Sequence, residues 1–161
     1  MKKNLVIFDF DQTLMDTLGK EEGLKIWKEK TGQDYPHKGW WGRKESLDLD
    51  VFDIEPNEDV LSDYYKHKEN DDTICLVTGR LKKLEDYVKL ILDKHNLDFN
   101  GGVYCRDGGK DTADFKLKLF KKMIDTGDYH NITIYEDRFD HVKIFEEWTR
   151  SLDIPGKIVF V

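Results

Sequence analysis

Residues 5–14 read Leu5-Val6-Ile7-Phe8-Asp9-Phe10-Asp11-Gln12-Thr13-Leu14. Four apolar residues in succession fit a strand buried on both faces, as strands of parallel sheets are. The run then gives way to two aspartates separated by one residue. Where a strand frays, alternate residues can point into one crevice. Two close carboxylates repel each other unless a cation or a proton is shared. A hard divalent ion answers that repulsion, and oxygen ligands select Mg²⁺. The plainer reading is a solvated turn after a strand, and the rest of the chain has to decide between the two.

Similar apolar runs recur. Ile74-Cys75-Leu76-Val77, Ile132-Thr133-Ile134-Tyr135 and Lys157-Ile158-Val159-Phe160-Val161 read as strands, and Gly102-Val103-Tyr104-Cys105 as a weaker one. Between them the apolar spacing turns helical. Residues 81–95 carry Leu84, Val88, Ile91 and Leu92. Residues 113–124 carry Phe115, Leu119, Phe120 and Met123, and residues 140–149 carry Val142, Ile144, Phe145 and Trp148. Residues 19–30 and 57–67 complete the set of predicted helices. Strands alternating with helices predict an α/β fold with a doubly wound, Rossmann-like parallel sheet. A single domain over residues 1–161 is expected, with residues 19–70 as a short helical and loop insertion. In such sheets, ligands sit beyond the carboxyl ends of the strands.

Two more strand ends are polar. Thr78-Gly79-Arg80 follows the second run, ahead of a predicted helix. A hydroxyl and free amides at a helix start suit an anion, and an ordinary threonine N-cap would look the same. Glu136-Asp137-Arg138-Phe139-Asp140-His141 follows the third run. These acids can complete a metal site, or they can simply decorate a helix N-terminus. Lys116 stands between these stretches, with Lys118, Lys121 and Lys122 nearby. Its neighbours Phe115 and Leu119 place it near a buried turn.

Together the motifs resemble the haloacid dehalogenase superfamily, whose first motif is Asp-x-Asp-x-Thr after an apolar strand. The resemblance implies that Asp9 attacks phosphorus to form an aspartyl-phosphate. It implies that Asp11 is general acid and then base, and offers its backbone carbonyl to Mg²⁺. Thr78 would bind a phosphoryl oxygen beside Gly79, and Arg80 would lie near the substrate or a neighbouring phosphate. Lys116 would neutralise the phosphoryl group and the nucleophile. Asp137 would be a direct metal ligand beside Asp9 and Asp11, with Glu136 or Asp140 acting through water. The Glu-Asp pair departs from the commoner Asp-Asp or Gly-Asp forms, so which acid touches metal stays open.

The wider strings are more distinctive. Tyr135 to His141, Gly39-Trp40-Trp41-Gly42, Leu76 to Arg80 and Thr112-Ala113-Asp114-Phe115-Lys116 look like the haloacid dehalogenase domain of Swiss Army Knife RNA repair proteins. The acid-Asp-Arg string also resembles the phosphatase half of polynucleotide kinase-phosphatases. Both resemblances imply removal of a phosphate from a nucleic-acid end, with a ligase or kinase as a repair partner. A small-nucleotide phosphatase, or a binding module that has lost turnover, are the competing expectations.

Between Thr13 and Thr78 there is room only for two helices and a loop, so no large cap domain is expected, and an open site suits a polymer end. Trp40 and Trp41 lie in that stretch beside His37, Lys38, Arg43 and Lys44. Aromatics with basic neighbours can stack bases and hold phosphates. Both tryptophans could equally pack on the core as a loop anchor. The net charge of −7 argues against a general nucleic-acid binder with a basic face. Cys75 and Cys105 read as small buried hydrophobes, which fits a reducing compartment. No apolar run approaches the roughly 18 residues of a membrane span, so a cytoplasmic protein is expected.

Overall fold

The computed structural model describes residues 2–161. Strands β1 (Lys3–Phe8), β2 (Thr73–Leu81), β3 (Gly102–Arg106), β4 (Tyr129–Glu136) and β5 (Gly156–Phe160) form one sheet in the order β3-β2-β1-β4-β5. Every neighbouring pair is parallel. The chain starts in the middle, winds out to one edge, and returns to build the other. The order therefore reverses between β1 and β4, and a crevice opens there at the carboxyl ends of the strands.

Helices α1 (Lys20–Thr31), α2 (Glu58–Glu69), α3 (Glu85–Lys94), α4 (Thr112–Thr126) and α5 (Phe139–Arg150) lie among the connections. The continuous apolar run of β1 is explained by its two covered faces. Val6 and Phe8 pack with Val60 and Tyr64 of α2 and with Val88 and Ile91 of α3. Leu5 and Ile7 point the other way, towards Phe120 of α4 and Phe145 of α5. The N-terminus of α2 is capped by Asn57, whose side chain accepts from the Asp59 and Val60 amides at 3.1 and 3.2 Å. Asn57→Ala is expected to cost about 1 kcal/mol, read as a lower urea midpoint at unchanged slope. An unchanged midpoint would mean that water serves those amides equally well.

One predicted boundary is corrected. The helix expected over residues 81–95 begins at Glu85, after a short 3₁₀ turn at Lys82–Leu84. β2 does not end at Val77 but runs to Leu81. Its register with β3 shifts between Thr78 and Leu81, so Gly79 and Arg80 form an irregularity in the strand rather than a helix start. Such bulges re-aim side chains next to functional sites.

Within residues 19–70, α2 is a crossover helix of the sheet, so only the residues before it depart from the α/β plan. That excursion shares the main core through Trp40, Leu47, Val51, Phe52 and Ile54. The Trp40 indole donates to the Leu18 carbonyl at 2.9 Å. Its ring presses on Gly23 of α1, where an added Cβ would lie 2.3 Å from the ring. No helix among the described residues is long and apolar enough to cross a membrane.

Candidate active site

The end of β1 turns sharply into the crevice. The Leu14 amide bonds back to the Asp9 carbonyl at 3.2 Å and the Met15 amide to Phe10 at 3.0 Å, with Gln12 left-handed at φ 58. This turn folds Thr13 back beneath Asp9. The fully buried Thr13 hydroxyl lies 3.0 Å from Asp9 Oδ2 and 2.9 Å from Asp137 Oδ1. It holds one proton, so it donates to one carboxylate at a time. Thr13 belongs to the Asp-x-Asp-x-Thr string, which was the signal for its place here.

Lys116 reaches the same point from the second turn of α4. It is 2% exposed, and its Nζ lies 2.9 Å from Asp9 Oδ1 and 2.9 Å from Glu136 Oε2. Lys118, Lys121 and Lys122 are exposed. Burial opposes the charge on Lys116, but the Asp9 and Glu136 carboxylates outweigh it and raise its pKa above the usual lysine range. Burial alone would raise Asp9 too. The Lys116 ammonium and the surrounding hydrogen bonds prevail and hold Asp9 below the usual carboxylate range. Asp9 is thus an ionised, oriented carboxylate in a nearly dry place.

The end of β4 supplies the remaining acids. Asp137 is pushed up to about 6 by burial and then by the adjacent Asp9. Glu136 is pushed up to about 7 by burial and by Asp9, against the pull of Lys116. One oxygen each of Asp9, Glu136 and Asp137 lies within 4.8 Å of the others. A donor set of carboxylate oxygens alone suits a hard divalent cation. Within this set Glu136, like Asp9, has both oxygens engaged: Oε2 meets Lys116, and Oε1 accepts from the Arg138 amide at 3.3 Å. Asp140 stands apart. It is exposed and pairs with Arg138 at 3.1 Å, outside the cluster, so the structure gives no support to its expected metal role.

Asp11 points towards β2. The Arg80 guanidinium grips it at 2.9 Å (Nε to Oδ2) and 2.7 Å (Nη2 to Oδ1), and the Thr17 hydroxyl donates to it at 2.9 Å. Arg80 Nη1 also donates to the Trp41 carbonyl at 2.8 Å and to Ser46 Oγ at 2.6 Å. Four of the five N–H groups an arginine owns are therefore engaged. With a side chain 1% exposed, Arg80 orients Asp11 and the 41–46 loop, and it also lines the cavity, near where a substrate phosphate was expected to lie. Nor does Thr78 stand at a helix start. Its fully buried hydroxyl accepts from the Arg80 amide at 3.1 Å and orders the strand irregularity. Gly79 does line the cavity, and Thr112 approaches so closely that an added Cβ would meet its Cγ2 at 2.7 Å.

The resulting cavity, about 400 Å³, is lined by Asp9, Asp11, Lys116, Glu136 and Asp137. Trp41, Arg106, Thr112, Arg138 and His141 extend the wall. Arg106 carried no recognisable sequence signal, because it reaches the cavity only through the pairing of β3; Thr112 stood in a string that carried the resemblance, but its place on the wall depends on the docking of α4. His141 is buried, and its Nδ1 has no hydrogen-bond partner. Burial, then Arg138 and Lys116, hold its pKa below the usual histidine range.

Residues 25–159 match the family described as HAD domain family 1 in Swiss Army Knife RNA repair proteins. The matched stretch includes Arg80, Lys116 and Asp137 and begins after Asp11. An uncharacterized protein of Saccharomyces cerevisiae is 26% identical over 174 residues, an alignment that takes in 94% of this chain. This chain spans only 38% of that curated relative's length. Among solved structures, a chain of the Pnkp1/Rnl/Hen1 RNA repair complex superposes with a TM-score of 0.66 at 20% identity, over 99% of this chain and 43% of that one. The class C acid phosphatase from Bacillus anthracis, solved with tungstate bound, gives a TM-score of 0.59 at 14% identity, over 99% and 67%. At these identities the structural likenesses establish the fold, that of HAD-like hydrolases.

Proposed function

This chain belongs to HAD domain family 1 of the Swiss Army Knife RNA repair proteins, and on that premise we propose that it is a Mg²⁺-dependent phosphomonoesterase acting on nucleic-acid ends. The observation that carries the reading is the meeting of Asp9, Lys116 and Asp137, from β1, α4 and the end of β4, around one oxygen-lined space. Mg²⁺ held by Asp9 and Asp137, with the Asp11 carbonyl as a third donor, would offset the charge of the phosphoryl oxygens.

Lys116 and the Gly79 edge of the cavity position the phosphoryl group against Asp9. The ionised Asp9 carboxylate attacks phosphorus, and the ester oxygen leaves with a proton from Asp11. Asp11 then takes a proton from water, which attacks the aspartyl-phosphate and frees inorganic phosphate and Asp9. Arg80 and Thr17 aim Asp11 in the resting site, where both its oxygens accept; Asp11 takes up a proton from solvent before it acts as the acid, and the proton it later takes from water restores that form. Catalysis of this kind is mainly positioning plus electrostatics.

The 19–57 excursion is tied into the main core instead of forming a second body, which supports a polymer end as substrate. Cys75 and Cys105 are free and buried, as befits work in the cytoplasm. The RNA repair setting in the family's description supports a ligase or kinase partner.

The test is a panel of 3′- and 5′-phosphorylated RNA and DNA oligonucleotides, mononucleotides, sugar phosphates and an aryl phosphate, with Mg²⁺ and with a chelator. Phosphate release should fall by more than about a hundredfold on chelation and return with Mg²⁺. Oligonucleotides should outpace mononucleotides. The reverse order would make this a small-nucleotide phosphatase, and inertness towards the whole panel would leave a binding module.

A further inference from the structure

Trp40 and Trp41 are neighbours in sequence and opposites in structure. Trp40 is 3% exposed and locked between α1, Leu18 and Phe52. Trp41 is 43% exposed and stands on the cavity wall beside Gly42 and Arg80. Its ring is not loose. The Arg80 guanidinium carbon lies 5.0 Å from the ring centroid, and the Trp41 carbonyl accepts from the same guanidinium. A cation beneath an indole and a fixed backbone hold the ring in place before any ligand arrives. Lys38, Arg43 and Lys44 are exposed on the same loop.

We propose that Trp41 is a nucleobase platform: its indole stacks on the base of the nucleotide whose phosphate is presented to Asp9. Lys38, Arg43 and Lys44 then face the neighbouring backbone phosphates. The inference rests on the phosphatase reading and narrows it to substrates with a base beside the scissile phosphate. Every base has a π-face, so the platform distinguishes base from no base and not one base from another. Sugar phosphates, lacking a π-face, gain nothing from it.

The experiment compares kcat/KM for wild type, Trp41→Ala and Trp41→Phe on two hexanucleotides. Both carry a terminal phosphate at the end that the wild type hydrolyses faster; in one, the terminal base is replaced by an abasic site. The wild type should prefer the base-bearing strand by about five- to a hundredfold, and Trp41→Ala should reduce that preference to about twofold or less. Trp41→Phe, which keeps a π-face, should retain most of it. Trp41→Ala with a wild-type preference would overturn the proposal, even if both rates fell together, because a ring that only braces Arg80 would slow both strands alike. A wild type indifferent to the base would overturn it too, and these results leave the phosphatase reading standing. A wild type that turns over neither strand removes that reading and the platform with it.

Discussion

Asp9→Asn is expected to lower kcat on any phosphomonoester by more than about four orders of magnitude while the protein stays folded. A carboxamide of the same shape cannot form the acyl-phosphate bond, so the loss lies in chemistry. Folding should survive for an electrostatic reason. Asp9 shares a dry space with Asp137 and Glu136, whose own carboxyls are already pushed up to about 6 and about 7. Removing the central charge relieves that crowding, and Lys116 keeps Glu136 at 2.9 Å. Steady-state rates on an aryl phosphate, with a thermal melt of the same preparation, check both halves. Label from a phosphorylated substrate should be trapped on acid-quenched wild type and not on the variant. Full activity in the variant would remove Asp9 as the nucleophile.

Lys116→Met should affect rate and stability together, with kcat down by about a thousandfold and folding weaker by about 3 kcal/mol. Methionine fills the same volume without the ammonium. Asp9 loses the partner that holds its carboxyl below the usual range, and the buried Glu136 loses the ammonium 2.9 Å away. Breaking a buried ion pair from one side costs more than a surface pair, because the remaining charges stay desolvated. Urea unfolding of Lys116→Met, beside the exposed Lys121→Met and Lys122→Met, isolates the effect. Equal midpoints in all three would show that the buried pairs contribute nothing to folding.

Much of this was legible in the chain. Leu5 to Phe8 had to be covered on both faces, and the alternation of such runs with helical spacing implied a parallel sheet with helices on each side. The same logic put Asp9 and Asp11 at a strand end where ligands bind. The limit came where side chains choose partners. Nothing in the sequence required Asp11 to be gripped by Arg80, sixty-nine positions away. That pairing depends on β2 continuing past Val77, and its register shift against β3 is a non-local event. Asp140 looked as able as Glu136 to act on a metal through water, but the start of α5 turns it out to solvent beside Arg138.

By itself the sequence determined the order of strands and helices, the ends where chemistry could gather, and the acids able to gather there, because periodicity and buried runs are local and survive in one dimension. Lys116 was already singled out by its apolar neighbours, but only the tertiary structure decided that Arg80 serves Asp11 and that Trp40 is core while Trp41 faces the cavity. Those outcomes turn on distances of a few ångströms between residues far apart in the chain. Such distances are fixed by register and packing, which no short stretch of sequence contains.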